Sequence, residues 1–335
     1  MLLYDLTQKF SLQEFGIEIP LKDDRVTKTL EYLANHPVLG SLLDRFSVKV
    51  IDEEITREDL LRVHSRDYVD RLFSEKLEQE VLWAYELIDD HGNYHRYNPA
   101  NARLPLSLLL KNDLDKAAGV LQCCKLALQK GFCFYFGGGS HHAQADFGNG
   151  FCIVNDIVIA LRNLQANQMI EKAWVIDVDA HKGDGTAALT FRDNSITTLS
   201  IHMAKGWPLD GPEYIQGGLN PSFISSDIDI PIESGEEDAY LERLEKGLKK
   251  LEALSTPQIA LVVLGADPYE KDELPSTSGL RLSLEQMKKR DLMIYRFLKE
   301  RDIPQAHLMA GGYGAECWQV YANFLEHVLL EQGNR

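Results

Sequence analysis

Short apolar runs alternate with longer amphipathic segments along the chain. The runs at 47–51, 132–136, 173–178, 196–201, 227–232, 258–264 and 305–310 predict strands. Several of them, such as FCFYF, AWVIDV and IALVVLG, are apolar at nearly every position. That is the pattern of strands buried on both faces of a parallel sheet. The segments 24–35, 57–64, 113–128, 155–164, 237–254, 283–300 and 317–330 repeat apolar residues at i, i+3 and i+4, which predicts helices. Thr56 fits an N-cap, and Ser283 with Gln286 fits a capping box. Strand–helix alternation predicts an α/β fold with three layers, α/β/α, around a mainly parallel sheet. In such folds ligands bind beyond the carboxyl ends of the strands. The polar stretch at 89–103, DDHGNYHRYNPANAR, predicts a long loop. No repeat or compositional break divides the 335 residues, so one domain spanning 1–335 is expected.

Four loops after predicted strands carry unusual chemistry. The first is Gly137-Gly138-Gly139-Ser140-His141-His142, where glycines let other groups approach two adjacent histidines. The second is Asp177-Val178-Asp179-Ala180-His181-Lys182-Gly183-Asp184. An extended strand would place Asp177, Asp179 and His181 on one face. Buried carboxylates are costly unless they are paired or hold a metal. The third loop is Gly265-Ala266-Asp267-Pro268, which alone reads as an ordinary turn. The fourth is Gly311-Gly312-Tyr313-Gly314, which can project a phenol into a cleft.

Taken together, Asp179, His181 and Asp267 would supply three ligands to zinc or a related ion and leave a position open, as in catalytic sites. Zinc brings the pKa of its water toward ~7. The histidine pair can serve as base and acid, and Tyr313 as a hydrogen-bond donor to an oxyanion. The parts amount to metal-assisted amide hydrolysis.

Charge narrows the choice of partner. The chain has 35 Lys+Arg against 51 Asp+Glu, a net charge of −16. A surface this acidic is poorly suited to tracking nucleic-acid phosphates. No apolar run approaches the ~18 residues of a membrane span. The beginning, MLLYDLTQKF, lacks a basic n-region and an apolar h-region. Five cysteines without CxxC spacing do not form a disulfide framework. Cytoplasmic residence is therefore expected.

GGGSHHAQADFGNGFCIVNDIVIA, VIDVDAHKGDGT, LGADPYEKDELPSTSGLRLS and MAGGYGAECW, in this order, resemble the histone deacetylase family of the arginase/deacetylase superfamily. The tripled glycine and the short GGY are similar to small class IV and bacterial members. The resemblance implies an arginase/deacetylase-like fold and a zinc-dependent deacylase acting on Nε-acetyl or longer acyl-lysine. It implies zinc ligands at Asp179, His181 and Asp267, and an active-site pair at His141 and His142. Asp177 and Asp184 would be the acidic partners of that pair, in that order, with His142 the main base and acid. Tyr313 would be the transition-state tyrosine. Phe151 and Trp207 would wall an acyl-lysine tunnel, with Gly150, Gly311 and Gly312 leaving room for the chain. Asp177 and Ser200 match a potassium site, and Arg25 an internal-channel arginine. A rim carboxylate would lie in or just before 89–103, with Asp89 and Asp90 as candidates. The resemblance is compatible with a monomer.

Two positions and one segment depart from the family pattern. Trp207 stands where a phenylalanine is usual, Lys182 where a histidine is common, and the segment 275–279, PSTSG, is long. Lys182 is expected to reduce the negative potential beside the metal site, and 275–279 to alter access. An acetylpolyamine amidohydrolase would share these residues and differ only at the rim. An arginase-like ureohydrolase fits less well, because DAHKGD has one residue more than DAHxD-type spacing. A non-catalytic acyl-lysine binding module would have lost a ligand or the tyrosine.

Overall fold

A computed structural model describes residues 1–7, 11–22, 24–89, 91–215 and 217–333. Its strands are β1 (Leu2–Leu3), β2 (Ser47–Val48), β3 (Phe132–Tyr135), β4 (Ala173–Asp177), β5 (Ile196–Met203), β6 (Tyr214–Ile215), β7 (Gly218–Leu219), β8 (Ile228–Ile232), β9 (Ile259–Leu264) and β10 (Gln305–Met309). Eight form one sheet in the order β2-β1-β3-β10-β9-β4-β5-β8. Every pairing in it is parallel. β6 and β7 form a separate antiparallel hairpin.

Alternation along the central strands builds two cores. Trp174, Ile176, Ala260, Val262 and Leu264 face one apolar layer, and Val175, Ile259, Leu261 and Val263 face the other. Helices Tyr240–Leu254, Leu284–Lys299 and Trp318–Gly333 pack into the first layer. Helices Leu108–Lys130 and Asp156–Ala166 pack into the second. The predicted α/β/α architecture is the observed one. Pro231, which cannot donate to a ladder, lies in the edge strand β8.

Several boundaries differ from expectation. β4 ends at Asp177 and β2 at Val48. The segment 237–254 splits into a 3-10 turn, Glu237–Ala239, and the helix Tyr240–Leu254. The helix expected at 113–128 runs from Leu108 to Lys130 and stops at Gly131, whose φ is 80°. Pattern reading missed β1 and the short helices Arg66–Leu72, Leu77–Ala84 and Asp184–Leu189. These are too short to show a period. Among the described residues, no helix is long and apolar enough to cross a membrane.

One buried cation ties the strand ends together. Arg290, on helix Leu284–Lys299, is fully buried. Its Nη1 donates to the Val178 carbonyl and its Nη2 to the Gly265 carbonyl, each at 2.9 Å. Its Nε donates to Asp291 at 2.7 Å. Val178 and Gly265 directly follow β4 and β9. Arg290→Leu strips donors from two carbonyls and leaves Asp291 buried without its partner. Urea unfolding followed by circular dichroism is expected to show a loss of roughly 3–5 kcal/mol.

Candidate metal centre

Beyond Asp177 the chain bends instead of continuing as a strand. The Asp179 N–H donates to Asp177 Oδ1, and the His181 N–H to Asp179 Oδ1, each at 3.1 Å. These two-residue side-chain-to-backbone bonds gather the three side chains. The extended strand expected through 181 is therefore replaced by a bend, with the same side chains brought together. Asp267 arrives from the neighbouring β9, and its Oδ1 accepts the Ala180 N–H at 3.1 Å.

Asp179, His181 and Asp267 are buried, and one donor atom from each lies within 4.8 Å of the others. His181 Nδ1 is 3.2 Å from Asp267 Oδ2 and 3.3 Å from Asp179 Oδ1. Two glycines leave space for this crowding. A Cβ on Gly265 would stand 2.4 Å from Asp179 Oδ2, and one on Gly311 2.5 Å from it. Apart from that imidazole nitrogen, Asp267 Oδ2 has no hydrogen-bond donor. Burial and the Asp179 carboxylate push the Asp267 pKa up to about 8. Two adjacent buried carboxylates and an imidazole, with one oxygen lacking a donor, fit a divalent cation in charge and in ligand type.

The histidine pair stands beside this cluster. His141 Nδ1 lies 2.7 Å from Asp177 Oδ2, and His142 Nδ1 2.7 Å from Asp184 Oδ1. The two rings are 3.9 Å apart, centre to centre. Burial lowers the pKa of His141, but Asp177 and Asp179 together outweigh it and raise it to about 9. Burial and the charge of His141 pull His142 down to about 4, against the pull of Asp184. Asp184 Oδ2 accepts from Ser222 Oγ at 2.6 Å and Gln144 Nε2 at 3.0 Å. Neither partner was visible from sequence, because each is ordinary in its local context.

A cavity of about 480 Å³ is lined by His141, His142, Phe151, Asp179, His181 and Tyr313, among others. The Tyr313 N–H donates to Asp272 at 2.7 Å, and its ring lies 6.2 Å from Phe151. Burial, with Asp179 and Asp267, raises the Tyr313 pKa well above its usual value. The Trp207 ring packs edge-on against His142 at 4.5 Å and His181 at 5.5 Å. A Cβ on Gly150 would meet those Trp207 and His142 rings at 2.3 and 2.5 Å. Gly312, with φ of 141°, turns its open side to Ala266. Arg25 lines the cavity and donates to the carbonyls of Ala310 (2.7 Å) and Gly312 (3.3 Å). Ser200 pairs in register with Asp177, and its hydroxyl accepts the Gly183 N–H at 3.4 Å.

The structure redirects two expectations. The Lys182 ammonium lies 3.4 Å from Asp229 and 3.2 Å from the Ser222 carbonyl. Its charge is spent there rather than at the acidic cluster. Asp89 is exposed and accepts from His91 and Asn93 of its own turn, and Asp90 lies outside the described residues. Just before that loop stands another carboxylate, Glu86. It is half-buried, has φ of 54° and pairs with Arg96 at 3.4 Å. Arg96 in turn sits over the Phe151 ring at 5.9 Å. A non-glycine residue in this backbone region was the feature sequence could not display.

The histone deacetylase domain profile matches residues 19–329. The chain belongs to the histone deacetylase family. It is an amidohydrolase of that family, which generally uses zinc. Acetoin utilization protein AcuC of Staphylococcus aureus (strain COL) is 28% identical over 334 residues, covering 98% of this chain and 80% of that protein. Histone deacetylase 2 of Arabidopsis thaliana is 26% identical over 284 residues, covering 84% of this chain and 67% of that protein. Among solved structures, an HDAC homolog from Aquifex aeolicus superposes with a TM-score of 0.70 at 18% identity. It covers 97% of this chain and 82% of its own. An HDAC homolog complexed with SAHA gives 0.71 at 20% identity, with the same coverage.

The Asp179–His181–Asp267 cluster depends on the bare Cα of Gly265. Gly265→Ala forces a methyl into Asp179 and Asp267. Zinc content and chelator competition on the purified protein are expected to show binding weaker by about tenfold or more.

Proposed function

We propose that this deacetylase hydrolyses the amide of Nε-acetyl or longer acyl-lysine in proteins or peptides. The observation that carries this is that His141, His142, Asp179, His181 and Tyr313 line one cavity, with Asp177 and Asp184 each 2.7 Å from one of the histidines and Asp267 completing the cluster. Asp179, His181 and Asp267 would hold zinc. When bound, zinc supplies Lewis acidity to the amide carbonyl and to an attacking water.

The remaining steps belong to side chains of this chain. Asp184 orients His142, whose low pKa keeps it neutral and able to take a proton from the water. His142 then returns the proton to the departing lysine amine. His141, charged against Asp177, stabilises negative charge nearby and can shuttle protons. Tyr313 donates a hydrogen bond to the carbonyl oxygen as charge develops on it. Phe151 lines the cavity, and Trp207, packed on His142, would be the opposite wall for the lysine methylenes, each worth roughly 0.8 kcal/mol when buried. The products are a carboxylate and a free amine.

The reading includes a potassium ion near Asp177 and Ser200, whose oxygens are hard donors. It takes the chain as one domain, supported by the single eight-stranded sheet. It also places the chain in the cytoplasm, consistent with five buried free cysteines.

Zinc-loaded protein is expected to turn over an acetyl-lysine peptide faster than N-acetylputrescine. Preference for the polyamine would move the substrate class. His142→Ala should lower kcat by about 10²–10⁴-fold, and Tyr313→Phe by about 10²–10³-fold. Full activity in either variant would overturn its assigned role.

A further inference from the structure

The long segment at 275–279 forms a 3-10 turn, Pro275–Thr277, against the acidic cluster. The turn brings the Ser276 hydroxyl to 3.1 Å from His181 Nε2. The other ring nitrogen, Nδ1, faces Asp179 and Asp267. A ring nitrogen that binds a metal carries no proton, so the neutral ring keeps its proton on Nε2. Ser276 Oγ is then the acceptor for that N–H.

We propose that Ser276 is a positioning residue for His181, holding the imidazole in the tautomer and rotation that turn Nδ1 toward Asp179 and Asp267. The inference rests on the reading that these three residues hold zinc. Metal-binding histidines generally donate their second N–H to a fixed acceptor, which sets ring orientation and raises basicity. Here a serine from a distant loop, 95 residues along the chain, fills that place.

The turn is anchored in a way that keeps the hydroxyl in register. Asp272 Oδ1 accepts the Leu274 N–H at 2.9 Å and lies 3.1 Å from Thr277 Oγ1. Asp272 Oδ2 accepts the Tyr313 N–H. One buried carboxylate therefore fixes both the turn that carries Ser276 and the backbone that carries Tyr313. His181 is only 5% exposed, so water has poor access to replace a lost acceptor.

The test is a Zn²⁺ titration of metal-free full-length protein against a chelating dye, with thermal unfolding of the metal-free forms in parallel. Ser276→Ala is expected to weaken Zn²⁺ binding by about 10–100-fold. Ser276→Thr, which keeps a hydroxyl on the same carbon, should stay close to wild type. Both variants should unfold, metal-free, at the wild-type temperature. Equal Zn²⁺ affinity in wild type and Ser276→Ala would overturn the positioning role. Undiminished affinity in His181→Ala would instead overturn the zinc-site reading itself.

Discussion

Two carboxylates buried side by side are an unfavourable arrangement, and the centre of this protein is organised around making one stable. Asp179 and Asp267 stand just beyond the ends of β4 and β9, neighbours in a parallel sheet. Each would be costly alone in an apolar interior. Backbone N–H groups of Ala180, His181 and Gly311 donate to them. Gly265 and Gly311 leave out the side chains that would otherwise fill their space. Beneath them Arg290 bonds the carbonyls of Val178 and Gly265. The strand ends are thus held at a fixed separation, and the remaining negative charge is available to a divalent cation.

The same economy of charge separates the two adjacent histidines. Their rings nearly touch, and each has its own aspartate, yet their pKa values move in opposite directions. His141 lies closer to the acidic cluster and is held protonated by Asp177 and Asp179. His142 answers to that neighbouring charge and is held neutral. Environment rather than residue type gives one ring an electrostatic part and the other a basic one. Ser222, from a distant segment, and Gln144, from the stretch that carries the histidines, hold the far oxygen of Asp184.

Much of this was legible locally. The nearly continuous apolar runs marked β3, β4 and β9 because strands buried on both faces favour apolar residues at nearly every position. The four loops after strands displayed their histidines, aspartates and tyrosine within a few residues of each other. Asp177, Asp179 and His181 do come together, but on a bend rather than on an extended strand. Local hydrogen bonds to Asp177 and Asp179 curl the chain where alternation predicted it straight. The rim was harder. Asp89 looks available in sequence but closes its own turn, while Glu86 is made distinctive only by its backbone angle and by Arg96.

By itself the sequence determined the alternation of strands and helices, the chemical types at each strand end and the family to which they belong. These follow from short-range patterns, because periodicity and side-chain chemistry are properties of neighbouring residues. The tertiary structure alone decided the sheet order that sets β4 beside β9, and with it the meeting of Asp179 with Asp267. It also decided that Lys182 turns to Asp229, that Arg290 ties the strand ends and that Ser276 reaches His181. Each is a contact between residues far apart in the chain, and such a bond is set by the path of the folded backbone rather than by local composition.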